Sequence, residues 1–331
     1  MRMKPETVSA YRFQVKDLKV NNRRLGISAF MRIRNGADWL ELSIRSHMAY
    51  FDEIVAVYNQ CTDATPDILM QLQQEFGEEK LRVIHYLDEV HPPGSVGHAA
   101  TEPSSPNSLV NYYNFSLAST RFRYATKLDD DHLAINDTTR EITDLLRSGE
   151  AARDTMYCFS GLNLFRRSDG ELGILASDPV SGGGDIGFFR VTPCTHFTHD
   201  RRFERFQRGN VRRQFSGFLY WHLKFLKRDM GFGNYELEKN PQSRYAKRQA
   251  ALSSHDIQTL QPPELASYRS NGILQKLTAL VSEKHRLLAA RNQAMAAAFP
   301  DKNVYEAILR TVDKPFRSDL VLPDQIKEFA A

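Results

Sequence analysis

Cysteine is scarce in this chain: Cys61, Cys158 and Cys194 are odd in number, widely spaced and form no CxxC pair. That argues against a disulfide framework or a structural zinc site and points to a reducing compartment. Long apolar runs are missing too. No stretch approaches the roughly eighteen continuous apolar residues that mark a membrane span. The basic start Met1-Arg2-Met3-Lys4 leads into no apolar stretch, which reads against a secretory signal. No GxxxxGK followed by Ser or Thr occurs, so P-loop chemistry is disfavoured. Helix-turn-helix, zinc and RNP-like patterns are absent as well. The net charge of +4 is too small to imply a nucleic-acid partner. The expected location is the cytoplasm, with at most peripheral contact with anionic lipid on the inner face of the plasma membrane.

What is present is an ordinary globular mixture, 41% hydrophobic and 25% charged over 331 residues, enough for a sizeable core. One large α/β domain with an appendage, or two domains, is the expectation. The charge is uneven: residues 1–24 and 201–228 are strongly basic. Such clusters can face anionic lipid, diphosphates or RNA, or form a merely solvated surface.

After the basic lead 1–24, Leu25 to Arg32 reads as a buried strand that runs into an Asn35-Gly36 turn. Leu40, Ile44, Met48 and Phe51 keep helical spacing behind it. Glu53–Tyr58 is a second strand, apolar enough for the middle of a parallel sheet. Thr65 reads as an N-cap, Pro66 as the first helical residue and Gly77 as the stop. Leu81–Tyr86 is a third strand, and the alternation predicts a doubly wound α/β domain. Residues 87–107, with Pro92, Pro93, Pro103, Pro106, Gly94 and Gly97, have loop composition and the length of a functional lid. A helix over Leu109–Ala118 precedes a strand, Tyr124–Leu128, which ends in Asp129-Asp130-Asp131. A later strand is expected over Tyr157–Phe165, and Gly182-Gly183-Gly184 forms a turn before Asp185. The last ninety or so residues read as helical, with an apolar stripe of Ile273, Leu277, Leu280, Val281, Leu287 and Leu288. That stripe serves packing against the main domain, dimerisation or membrane contact.

The acidic triplet carries the most chemistry. Ligands of open α/β sheets bind beyond the carboxyl ends of the strands. Three adjacent carboxylates repel one another and need protons, cations or strong hydrogen bonds to coexist. Asp129 and Asp131, at alternate positions, can turn toward one ligand, and a hard cation such as Mg²⁺ or Mn²⁺ suits them. The bland alternative is a solvated acidic turn capping the next helix.

At this point the chain resembles the GT-A glycosyltransferases, particularly those similar to family 2. Asn59-Gln60-Cys61-Thr62-Asp63-Ala64-Thr65 stands at the position of their Asn/Asp-x-Ser/Thr-x-Asp-x-Thr loop, and Asp129-Asp130-Asp131 at that of Asp-x-Asp. Arg34-Asn35-Gly36-Ala37 with Trp39-Leu40 looks like their Asn-Glu and following helix start, with Gly in place of Glu. The likeness is good over residues 25–135 and loose beyond. It implies a GT-A, Rossmann-like, mainly parallel sheet over 25–240. A nucleotide-sugar half (25–135) and an acceptor half (136–240) would be followed by a helical C-terminal region (241–331). It further implies a hexosyltransferase-like enzyme that uses Mn²⁺ or Mg²⁺ to move a sugar from a nucleoside-diphosphate donor to a glycan or lipid-linked acceptor. Cell-surface polysaccharide or lipopolysaccharide synthesis would be the setting. Phe30, Arg32, Asn35, Asn59, Asp63, Asp129 and Asp130 are then the donor-binding candidates, and Asp131, Asp129 and His222 the metal candidates.

An inverting transfer also needs a general base near the acceptor hydroxyl. Asp185, after a flexible glycine run, is the first candidate and Glu204 the second; the Glu-Asp pair common in the resembling group is missing. His196, His199 and Asp200 form another cluster, and Arg201, Arg202, Arg205, Arg208, Arg212 and Arg213 suit a diphosphate or an anionic acceptor. Two rivals remain. A nucleotidyltransferase would share fold and metal, but Arg32-Ile33-Arg34-Asn35-Gly36 does not match its Gly-rich loop. A non-catalytic interaction protein would use the basic surfaces and C-terminal helices, and a homo-oligomer is compatible with either.

Overall fold

The computed structural model describes residues 4–93, 95–184, 186–199, 204–239, 241–253, 257–268, 278–279 and 281–321. Short apolar runs form β1 (Glu6–Val8), β2 (Arg24–Ile33), β3 (Glu53–Tyr58), β4 (Leu81–Tyr86) and β5 (Phe122–Lys127). They lie in the order β1-β4-β3-β2-β5, with every neighbouring pair parallel. β3 is buried at all its positions, as a strand covered by helices on both faces must be. The helices α1 (Leu40–His47), α2 (Thr65–Phe76), α3 (Val96–Ala100) and α4 (Leu109–Ala118) occur in the connections. Among β2 to β5 the chain first winds outward through β3 and β4, then returns to place β5 on the far side of β2. The winding direction therefore reverses between β2 and β5, which opens a crevice at their carboxyl ends.

Beyond β5 come β6 (His132–Ala134), α5 (Asn136–Ser148), β7 (Thr155–Arg166), β8 (Leu172–Leu175), β9 (Val180–Ser181), β10 (Gly187–Arg190), β11 (His196–His199), β12 (Glu204–Gln207) and β13 (Arg212–His222). The sheet continues β5-β10-β7-β13-β6. β10 is antiparallel to both β5 and β7, so β7 and β13 regain the direction of the first five strands. With β8, β9 and β14 (Thr259–Leu260) attached to β7 or to each other, the sheet has twelve strands. Among the described residues, β6, β8, β9 and β10 oppose the common direction and the other strands share it, so the expected mainly parallel α/β sheet is present. β11 and β12 form a separate hairpin.

The first and last described elements are integrated with this sheet. β1 adds a parallel edge strand to β4, and fully buried Leu18 joins the core under α4. Buried Arg23 donates to the carbonyls of Leu18 and Phe122 at 2.8 Å and to Thr120 Oγ1 at 2.9 Å. At the other end, α6 (Arg244–Leu252), α7 (Glu283–Ala298) and α8 (Val304–Thr311) follow. Met295, Phe299, Val304 and Ile308 pack on Trp221, Leu223 and Leu164. Of the expected apolar stripe, Leu287 is buried and Val281 is exposed, while Ile273, Leu277 and Leu280 lie outside the described residues. Helix α2 begins at Thr65, one residue earlier than an N-cap there requires. Asp63 Oδ1 accepts the Thr65 N–H at 3.0 Å, which frees the Thr65 hydroxyl to hold Gly36 N–H at 2.8 Å.

One buried charge at the start of β3 ties that strand to β2 and to the start of β5. Glu53 is fully buried at the start of β3 and accepts from Ser28 Oγ of β2 at 2.6 Å. It also accepts from Arg121 Nε at 2.7 Å and from the Arg121 N–H just before β5. Truncating Glu53→Ala strands these donors, so we expect a loss of about 3 kcal/mol. Urea unfolding should show a lower midpoint at unchanged slope; a change below about 0.5 kcal/mol, the size of an ordinary surface substitution, would assign the node no structural weight.

Candidate active site

The acidic triplet sits in the β2–β5 crevice. Leu128 N–H closes the ladder on the Phe30 carbonyl at 3.0 Å, and the chain turns. Ser43 Oγ donates to the Asp129 carbonyl at 2.9 Å and Leu223 N–H to the Asp131 carbonyl at 2.7 Å, so the turn is fixed from two sides. β6 then pairs antiparallel with β13 in a register that sets His132 opposite His222. Asp131, His132 and His222 each offer a ligand atom, all within 4.8 Å of one another.

The charges there are compensated unevenly. Asp129 Oδ2 lies 2.9 Å from Lys127 Nζ. Lys227 Nζ lies 2.9 Å from both Asp130 Oδ2 and Asp131 Oδ2. Burial alone would raise all three carboxyls. At Asp129 the Lys127 ammonium outweighs it, and at Asp131 Lys227 and His222 do, so both stay below the usual carboxylate range. At Asp130 burial, helped by repulsion from Asp131, prevails over Lys227 and pushes the pKa up to about 6.

The two histidines provide a test of whether a cation fits. Asn163 Nδ2 donates to the Asp178 carbonyl at 2.7 Å, which leaves Asn163 Oδ1 facing His222 Nδ1 at 2.5 Å. Nδ1 therefore carries the proton, an assignment made from the hydrogen-bond network. In the neutral ring the Nε2 lone pair then faces Asp131 Oδ1 at 3.3 Å, two acceptors head to head. A proton or a metal ion between them satisfies both, and a backing amide that fixes the tautomer is the usual support of a metal-binding histidine. His132 is buried and stacks on Tyr220 with ring centres 3.6 Å apart. Burial pushes its pKa down to about 3, so it is neutral, and its Nε2 has no hydrogen-bond partner. One carboxylate and two imidazoles thus fit a divalent ion, and the mixed set suits Mn²⁺ better than all-oxygen Mg²⁺.

The triplet opens on a cleft of about 910 Å³, in the range of small-molecule sites. Arg32, Arg34, Lys127, Lys224, Lys227 and Arg213 add positive charge to its lining beside the acids. The first-half candidates take different places around it. Phe30 is fully buried and belongs to the core while touching the cleft wall. Arg32 stacks its guanidinium on Tyr113, 3.2 Å from the ring centre, and its buried Nε has no partner. Asn59 is buried and occupied by main chain. It donates to the carbonyls of Tyr86 and Asp88 at 2.7 Å and accepts from Val90 N–H at 3.2 Å. Asn35, in the left-handed region at φ 52°, accepts from Thr62 N–H at 2.8 Å. Asp63 accepts from Ala37 and Thr65 N–H groups, which hold its pKa down against burial. These residues brace the loops after β2, β3 and β4. A Cβ on Gly36 would lie 2.5 Å from Asp130 Oδ2, the physical reason for glycine where the resembling group carries a larger residue.

Of the base candidates, Asp185 lies outside the described residues, as do Asp200, Arg201 and Arg202. Glu204 opens β12 and lines the cleft, with Oε2 buried and without a hydrogen-bond partner among the described residues. Arg208 and Arg213 are bound by Glu283 of α7, at 2.6 and 3.0 Å, and Arg212 pairs with Asp154. His196 sits against the Pro193 carbonyl, and His199 lies 6.0 Å from His98 between ring centres; neither belongs to the ligand set of Asp131, His132 and His222. Pro92 and Pro93 of the Pro-rich segment border the cleft. Sequence reasoning missed His132, Asn163, Lys127 and Lys227. Only His132 carried a local signal, as the residue directly after the triplet; the rest arrive through β7, the end of β5 and the turn after β13.

No family model and no curated protein matches the sequence. Part of the chain is similar to solved structures of glucosyl-3-phosphoglycerate synthase from Mycobacterium tuberculosis. The complex with Mn²⁺, UDP and phosphoglyceric acid aligns with 50% of this chain at 16% identity and a TM-score of 0.26. That with Mn²⁺, UDP and glucosyl-3-phosphoglycerate aligns with 49% at 17% and 0.26, and that with Mg²⁺ and UDP with 49% at 16% and 0.27. The chain spans about half the length of these structures, 51–52%. Likeness of this degree carries no functional inference.

The raised Asp130 pKa has a consequence for stability. A carboxyl whose folded pKa of about 6 exceeds its ordinary value of 3.8 stabilises the fold when protonated, and that contribution is lost as pH rises through 6. Asp130→Asn should therefore stabilise the metal-free protein by roughly 1–3 kcal/mol at pH 7.5 and hardly at pH 4. Thermal melts at the two pH values check this; equal shifts at both would contradict the compensation described.

Proposed function

We propose that the chain is a GT-A-type glycosyltransferase that takes its sugar from a nucleoside-diphosphate donor with the help of a divalent metal. The observation that carries the reading is the 3.3 Å approach of His222 Nε2 to Asp131 Oδ1, with His132 Nε2, which has no hydrogen-bond partner among the described residues, beside it at the crevice where the sheet's winding reverses. Asp131, His132 and His222, with Asp129 nearby, would hold a cation, which would supply charge neutralisation for a leaving diphosphate. The chain's own residues do the rest. Arg32, Arg34 and Lys127 line the cleft and can hold donor phosphates or ribose. Asn35, Asn59 and Asp63 keep the surrounding loops in place, and Asp130 holds Lys227.

Glu204 is the general base we favour within the described residues, because its Oε2 lacks a partner at the cleft wall; Asp185 stays the alternative. In an inverting transfer the base removes the acceptor hydroxyl proton as that oxygen attacks the anomeric carbon and the diphosphate departs with the bonding pair. A glycan or lipid-linked acceptor in cell-surface polysaccharide or lipopolysaccharide synthesis is what the family resemblance implies. Residues 87–107 would close over the leaving group. A nucleotidyltransferase is the second reading, since it would use the same crevice and metal.

A thermal-shift screen of UDP and GDP with and without Mn²⁺ tests the assignment. Saturation at about 100 Kd should stabilise the protein by ~2.7 kcal/mol. In Asp131→Ala the Mn²⁺-dependent part of that shift and sugar transfer should vanish while the fold persists; an unchanged shift and rate would remove the metal from the mechanism. Pyrophosphate release from a nucleoside triphosphate would instead identify the nucleotidyltransferase. Glu204→Gln should lower kcat by roughly 10²–10⁴-fold at unaltered donor affinity. Normal turnover in that variant passes the base to Asp185 or leaves a retaining mechanism without one.

A further inference from the structure

The residue that neutralises the triplet most directly is supplied by the turn after β13. His222 is followed by a short 3₁₀ turn, Lys224–Leu226, and then Lys227, whose side chain is only 12% exposed. Residues 223–235 cross the mouth of the crevice and are tied to its opposite wall. Arg228 N–H and Nε bind Asp38 at 3.0 and 3.1 Å, and Asn234 Nδ2 donates to the Arg34 carbonyl at 2.6 Å. Asn35 Nδ2 reaches Asn234 Oδ1 at 3.4 Å. This strap delivers the Lys227 ammonium to a point equidistant from Asp130 and Asp131, the latter being the carboxylate that also faces His222.

We infer that Lys227 is a tethered cation that competes with the divalent metal for Asp131 and releases it to the metal when a diphosphate arrives, which makes metal binding dependent on nucleotide. The inference rests on the glycosyltransferase reading above. An ion bound by Asp131, His132 and His222 would stand within a few ångströms of the ammonium, because both take the same carboxylate. In a water-poor corner two such charges repel strongly. A diphosphate changes the balance: its negative oxygens accept the lysine's N–H groups and also ligate the ion, so both cations then have anionic partners. Each ligand therefore raises the affinity for the other by one and the same factor.

Mn²⁺ titration followed by electron paramagnetic resonance, which counts free ion without any turnover, tests this on the full chain. Wild type should bind Mn²⁺ at least ~10-fold more tightly in saturating UDP or GDP than without nucleotide, within the usual range of coupling. Lys227→Met should bind Mn²⁺ at least ~10-fold more tightly than wild type when nucleotide is absent and show little coupling, and Lys227→Arg should behave as wild type. Equal nucleotide-free affinity in wild type and Lys227→Met makes the lysine a structural ion pair and overturns the inference while leaving the metal assignment intact. Should Lys227→Met fail to fold, the wild-type comparison decides: Mn²⁺ affinity indifferent to nucleotide overturns it. A wild type that binds neither Mn²⁺ nor nucleoside diphosphate overturns the functional reading together with the inference.

Discussion

Three carboxylates at the end of one buried strand are the constraint around which the site is organised. Their mutual repulsion in a crevice is met by ammonium groups from separate places, Lys127 from the strand itself and Lys227 from the turn after β13, while the imidazoles come from both sides of the β6–β13 pair. Each partner is attached to an element whose own packing fixes it. Trp221 and Leu223, on either side of His222, are fully buried under the C-terminal helices. The helical region is thus part of the support of the site, since without it the flanks of His222 would face solvent.

Much of this was legible in the chain. Strand β3, helix α4 and the Asp triplet are read from local pattern, because a short apolar run ending in like charges has few other uses in a folded protein. Gly77 stops α2 as expected, at φ 82°. What could not be read is whatever depends on the partner rather than on the residue. Asn59 looks like a ligand-binding residue in a polar loop, yet its amide is taken up by the main chain of the β4 loop. Lys227 looks like one more cation in a basic stretch, and only the strap shows that it faces two aspartates. Pairing of this kind joins residues distant in sequence, and composition holds no record of it. The basic lead illustrates the same point, since β1 is recognisable only through the edge of β4 that it covers.

The cleft has two walls of different character. On the β2 side, Arg32 leans on Tyr113, and the loops are held by short side-chain to main-chain bonds that leave little freedom. On the α7 side, Glu283 holds Arg208 and Arg213, while Leu287 lies so close to Gly184 that a Cβ there would meet it at 2.0 Å. A ligand bound at the first wall would meet a rigid surface, and one entering from the second would meet groups positioned by the C-terminal helix, so variation in that helix is a route to altering one side of the cleft without disturbing the other.

The β6–β13 pairing also bears on how the protein acquires its site. His132 and His222 share a face only in the observed register, and a slip of one residue would turn His222 to the opposite side of the sheet. They come from chain segments with β7 to β12 between them, so their meeting is a long-range closure that forms slowly compared with local structure. A metal site that included both imidazoles would therefore be complete only once β6 and β13 are paired in this register. Capture of an ion there would mark a finished sheet, much as a keystone is set once both sides of an arch are standing.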